Sequence, residues 1–131
     1  MPVGLYAVAQ ATTRRGDLLV VRLPRDMELL AASRDILSAK TPVLKPVAAA
    51  SGDVVCRAGS AISINGRFAA MARERDDHGR PLPIWRGCRR LSASQVFLLA
   101  RHPHSFDSRY YGPVDARIAR GVARPLVVFT D

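Results

Sequence analysis

One lysine and one polar block carry the residue types from which hydrolytic chemistry is built. Lys45 stands in "TPVLKPVAAASGD", with Leu44 before it and a proline, a valine and three alanines after it. A lysine projecting from an apolar strand loses solvation for its ammonium form, which lowers its pKa and makes the amine usable as a general base. A lone strand lysine also commonly points to water, so this segment alone leaves both orientations open. Further on, "HPHSFDSRYYGPV" gathers Ser105, Asp107, Arg109, Tyr110 and Tyr111 ahead of a Gly112-Pro113 turn. A hydroxyl, a carboxylate and a guanidinium so close together can orient a base or simply brace a loop.

Other chemistries find less support. His78, His102 and His104 match no metal-ligand spacing, and a proline separates the last two. No metal and no cofactor is expected. "SGD" and "NG" are hairpin turns, unlike the glycine-rich loops that lead into a helix and cradle phosphates. Cys56 and Cys88 fit neither a CxxC redox pair nor a zinc site, which leaves one disulfide or two inert thiols.

The elements that must position these residues are mostly strand-like. "GLYAVAQA" and "DLLVVRLP" are β-compatible runs around "TTRRG", which reads as a hairpin. "RDMELLAASRDILSA" has the apolar spacing of an amphipathic helix. "PVLKPVAAASGDVVCRAGSAISINGRFAAM" returns to strands, with Ser-Gly-Asp and Asn-Gly as turns. "ARERDDHGRPLPIWRGCRR" reads as a long excursion off the sheet, "ASQVFLLARH" as a strand and "ARPLVVFTD" as the last strand. The expected fold is mainly β (α+β), a bent antiparallel sheet or partly closed barrel with about one helix.

Composition bounds the rest. The chain has 131 residues, 48% hydrophobic and 24% charged, enough for one domain with one core. Its net charge of +9, carried mainly by arginine, favours phosphate-bearing partners without choosing between nucleic acid and anionic lipid. No apolar run reaches the roughly 18 to 20 residues that cross a bilayer.

"PVGLY", "GDLLVVRL", "LKPVAAASGDVV" and "SFDSRYYGPV" occur in an order that resembles the Ser/Lys signal peptidases. "CRAGSAISING" and "GRPLPIWRGCR" resemble more narrowly the TraF-type conjugative-transfer peptidases, which process pilin precursors at the outer face of the inner membrane. The last of the four motifs is the specific one. The resemblance implies a signal-peptidase-like fold in which residues 1–131 form a single periplasmic catalytic domain. It implies Lys45 as general base, the Ser105 hydroxyl bonded to and orienting its amine, and Asp107 and Arg109 as a supporting ion pair. An exported precursor would bind as an extended strand, with Leu5, Val43 and Leu44 lining shallow pockets. A Cys56 to Cys88 bridge would tie the polar excursion to the sheet, and an anionic membrane surface would be the second partner.

The family's nucleophilic serine stands just ahead of a segment like Met1-Pro2, so the expected position falls immediately before Met1, with a membrane anchor before that. Ser33, Ser38 and Ser51 have no base at a fixed spacing. Without the preceding serine the polypeptide is expected to be inert or nearly so. Two rival readings are a non-catalytic peptide-binding relative and a nucleic-acid-binding β-barrel. The second lacks an aromatic platform, because the chain has only four Phe, three Tyr and one Trp, so no specific nucleic acid is expected.

Overall fold

The structure, a computed structural model, describes residues 3–9, 14–21, 27, 29–30, 43–116 and 119–129. Ten strands and a one-turn helix account for most of them: β1 (Val3–Ala9), β2 (Leu18–Val21), β3 (Val43–Ala49), β4 (Val54–Ala58), β5 (Ala61–Ile64), β6 (Arg67–Met71), β7 (Gly87–Arg90), β8 (Gln95–Leu98), β9 (Val114–Asp115) and β10 (Ala119–Phe129). The helix, Ser108–Tyr111, lies in the polar block, where none was expected. Every strand pairing is antiparallel, in a six-stranded sheet ordered β1-β10-β2-β3-β8-β9 and a four-stranded sheet ordered β6-β5-β4-β7. The mainly β fold expected from the sequence is what forms.

Alternation sets the packing. In β4 the pattern turns Val55 and Arg57 inward, and in β5 it turns Ile62 and Ile64 inward. β8 buries both faces: Val96 and Leu98 pack with Leu19, Val47 and Val114, while Phe97 packs with Ala49, Val55, Ile62 and Trp85. A strand with two apolar faces can sit only inside the fold, so β8 fixes the depth at which its partner β3 runs.

The Asn-Gly signal is realised as expected. Asn65 and Gly66 take φ of 51° and 80°, the left-handed pair that a two-residue hairpin requires. The Asn65 side chain accepts from Val54 N and donates to Asp53 Oδ1, both at 2.9 Å, which ties the β5–β6 hairpin to the Ser-Gly-Asp turn.

Two expectations are corrected. β1 and β2 do not form a hairpin, because β10 lies between them, pairing Val122 with both Ala9 and Leu19. The Arg14–Asp17 turn is real, with Gly16 at φ 89°, but it docks on β3 through hydrogen bonds between Gly16 N and Val47 O (2.9 Å) and Val47 N and Asp17 O (2.8 Å). The polar excursion also ends sooner than read: Gly87–Arg90 is strand β7, paired to β4. All four of its residues are exposed, so no apolar alternation marks it. Of the helix read at 25–39, Met27, Leu29 and Leu30 are helical and the rest lies outside the described residues.

Cys56 and Cys88 face each other across β4 and β7 and form a disulfide. It closes a loop of 32 residues, for which chain-entropy arguments give roughly 2 to 4 kcal/mol. Replacing both cysteines with serine should lower the melting temperature by about 10 °C, read by circular dichroism. A drop equal to that caused by dithiothreitol on the unsubstituted protein would assign the loss to the bridge.

Candidate active site

Lys45 sits in the middle of β3, opposite Leu19 of β2. The neighbouring backbone is fixed by Leu99 N donating to Pro46 O at 3.2 Å. The side chain is half-buried, and burial lowers the amine's pKa below the ordinary lysine value. Asp107 opposes that shift and Arg109 adds to it. Of the two orientations open in sequence, this is the partly desolvated one, and those two charges reach it.

Both charges belong to one rigid block. Asp107, fully buried, caps the one-turn helix: its Oδ1 accepts from Arg109 N at 3.1 Å and its Oδ2 from Ala100 N at 2.9 Å. The Arg109 guanidinium, 2% exposed, donates to Pro103 O at 2.9 Å and Ala100 O at 2.6 Å. Its Nε lies 3.2 Å from Asp107 Oδ1 but is not aligned for a hydrogen bond, so that contact is an ion pair only. Burial pushes the Asp107 carboxyl above the ordinary carboxylate range, against the pull of its amide donors and of the Arg109 and Lys45 cations.

Residues to which the sequence assigns no role hold this block to the sheets. Ser108 Oγ accepts from Leu98 N at 2.9 Å, so the helix is clamped to the end of β8. Trp85 Nε1 donates to Ser108 O and Arg109 O at 3.0 and 3.1 Å. Gly112 has φ 73°, a left-handed conformation that favours glycine, and it packs beside the Trp85 ring, which lies 3.5 Å from where a Cβ would stand. Arg57 donates to Arg109 O at 2.7 Å. Its signal was readable: the "VVCRA" alternation puts an arginine on the inward face of a strand.

Ser105 is half-buried at the start of the block, and its N–H donates to His102 O at 3.1 Å. Among the described residues, no hydrogen bond joins its hydroxyl to the Lys45 amine. Leu44 is 39% exposed beside Lys45. Val43 pairs with Val21, whereas Leu5 lies on β1 with β10 and β2 between it and β3. Of the three histidines, His102 and His104 are in ring contact and His78 N donates to Asp76. No group of three metal-ligating side chains occurs among the described residues.

Residues 2–128 match the family described as signal peptidase, peptidase S26. The chain belongs to that family. It is 29% identical to the plasmid transfer protein TraF of Escherichia coli, with 98% of this chain and 79% of that protein covered. It is also 29% identical to a probable conjugal transfer protein TraF of Sinorhizobium fredii (strain NBRC 101917 / NGR234), over 98% of this chain and 73% of that one. A signal peptidase I of Enterococcus faecalis V583 overlays with a TM-score of 0.49 at 19% identity, covering 87% of this chain and 98% of the other. Signal peptidases are typically membrane-associated; among the described residues, no helix is long and apolar enough to cross a membrane.

Three stability outcomes follow from this site. Arg109→Met should cost roughly 3 to 5 kcal/mol in urea unfolding, because it strands the buried Asp107 carboxylate. Tyr110→Phe loses the acceptor of Arg73 N (3.0 Å) and should cost about 1 kcal/mol, whereas Tyr111→Phe, whose buried hydroxyl has no partner among the described residues, should cost nothing measurable. Lys45→Met should raise the melting temperature at pH 7. The folded pKa lies below the unfolded one, so the fold carries a penalty at every pH below the folded value, and the penalty fades as pH rises to the ordinary 10.5. The gap between the two proteins should therefore close between pH 7 and pH 10.5.

Proposed function

We propose that this chain is the catalytic domain of a signal-peptidase-type serine endopeptidase in which Lys45 is the general base. The observation that supports it most is the partly desolvated Lys45 amine within electrostatic reach of the buried Asp107–Arg109 pair. Desolvation makes the neutral amine accessible at a lower pH than in an ordinary lysine, which favours a proton acceptor. A serine hydroxyl attacks the scissile carbonyl, Lys45 takes its proton, and backbone and hydroxyl donors beside the serine hold the oxyanion. The nucleophile in this reading is the serine that the family pattern puts just ahead of Met1-Pro2.

Ser105 is assigned to orient the Lys45 amine, in the way the third member of a triad orients its base. Asp107 and Arg109 are positioning residues. Arg109 bonds Ala100 O and Pro103 O, and so fixes the turn that carries Ser105. The precursor lies as an extended strand beside β3, where Leu44 is accessible, and Leu5 and Val43 are the other pocket residues.

The relatives named for plasmid and conjugal transfer support a pilin-like precursor of a conjugation apparatus as substrate. A disulfide persists in an oxidising compartment, which supports the periplasmic face of the inner membrane. The +9 charge suits an anionic bilayer there.

The test is cleavage of a pilin precursor by the chain extended through its upstream codons. Lys45→Ala should reduce kcat/KM by roughly a thousandfold or more. The acid limb of the pH profile should rise with pH and level off below the ordinary lysine value, because only the neutral amine is active. Ser105→Ala should lower kcat with little change in KM. An extended protein that folds but does not cleave would move the assignment to a non-catalytic peptide-binding relative.

A further inference from the structure

Arg57 is 3% exposed on β4, yet among the described residues no carboxylate lies within ion-pair distance of it. Its Nε donates to Gly59 O at 2.8 Å, and one terminal nitrogen donates to Arg109 O at 2.7 Å. Carbonyls satisfy hydrogen-bonding demand but carry no net charge, so the buried cation stays uncompensated. Burial depresses the Arg57 guanidinium; the Tyr110 side chain opposes this and the nearby Arg86 cation adds to it.

Arg57 also lines a cavity of about 260 Å³ together with Arg75, Arg86 and the Ser60 segment. Three arginines and one acid, Glu74, are among the lining residues, and Arg75 also donates to Gly79 O at 2.8 Å. The acids next in sequence are engaged elsewhere: Asp76 with Arg80 at 3.0 Å and Asp77 with Arg73 at 2.7 Å. Pro81 and Ile84 supply an apolar part of the lining, and Ile84 is 51% exposed.

We infer that this cavity binds a phosphate ester. Planar guanidinium forks suit a tetrahedral oxyanion, whose charge would offset the cluster. The apolar part of the lining suits the carbon substituent of an ester better than inorganic phosphate, and Glu74 can accept from a hydroxyl on that substituent. A phospholipid headgroup and a soluble sugar or glycerol phosphate offer the same chemistry. Arg57 joins the site to the Asp107–Arg109 block through Arg109 O, and the inference does not depend on the Ser/Lys reading.

The experiment titrates the 131-residue protein with glycerol 3-phosphate by calorimetry and nitrogen-15 NMR. In parallel, it measures flotation with phosphatidylcholine vesicles with or without phosphatidylglycerol. Arg75 and Arg86 are exposed, so the double substitution Arg75→Gln/Arg86→Gln tests the site without removing the Arg57 anchor. The control is Arg14→Gln/Arg67→Gln, two exposed arginines outside the cavity.

Binding should shift the Gly59 and Ser60 amides, and the cavity pair should weaken it about tenfold, with the control pair changing it less than twofold. Vesicle retention that falls only with the cavity pair identifies a lipid headgroup as the source; retention equally affected by both pairs, alongside cavity-dependent glycerol 3-phosphate binding, identifies a soluble ester. Equal losses from both pairs in both assays, or no cavity-dependent binding in either, would overturn the inference.

Discussion

The interaction on which the site depends is the buried pairing of Asp107 with Arg109. Removing two charges from water is costly, and their attraction offsets that cost only when the remaining donors and acceptors are also satisfied. Here they are, almost completely: the carboxylate receives amides from both ends of the loop, and the guanidinium binds Ala100 O and Pro103 O. The loop from 100 to 109 is thereby drawn into a closed ring of hydrogen bonds. Such a ring is worth more to placement than to stability, since apolar residues of similar volume could fill the space without fixing any side chain.

That ring sits at a junction. Ser108 ties it to β8, Trp85 reaches it from the segment before β7, and Arg57 reaches it from β4. The two sheets therefore meet at the backbone oxygens of residues 108 and 109 as well as through the apolar core around Phe97. Through β8 the junction also bears on β3, because Val47 pairs with Leu98 and Pro46 accepts from Leu99 N. Lys45 thus lies one or two residues from positions that the ring holds still.

What the sequence discloses follows from the range of the forces involved. Turns that need a particular φ, such as Asn65-Gly66, and strands with one apolar face, such as β4 and β5, are written locally and read correctly. The insertion of β10 between β1 and β2 is a pairing of distant segments with no local signal, so the two consecutive strands looked like a hairpin. Gly87–Arg90 was missed because a wholly exposed strand has no apolar alternation. The family resemblance singled out Lys45 and Asp107–Arg109, and in the structure the charges of that pair bear on the Lys45 amine. It left Trp85 and Arg57 unread, since their roles are hydrogen bonds to backbone carbonyls, which no side-chain motif records. The Ser105 contact with Lys45, implied by the resemblance, is not among the hydrogen bonds formed.

The placement of β10 also carries a consequence for how the molecule comes together. β1 and β2 run parallel to each other and share no ladder, so nothing bonds them until a segment made roughly a hundred residues later arrives between them. Until then each offers an unpaired backbone edge, open to the wrong partner. Contacts so distant along the chain slow folding, and they make the assembly of this sheet a late event during synthesis. The six-stranded sheet is therefore a structure with an inner strand that is supplied last.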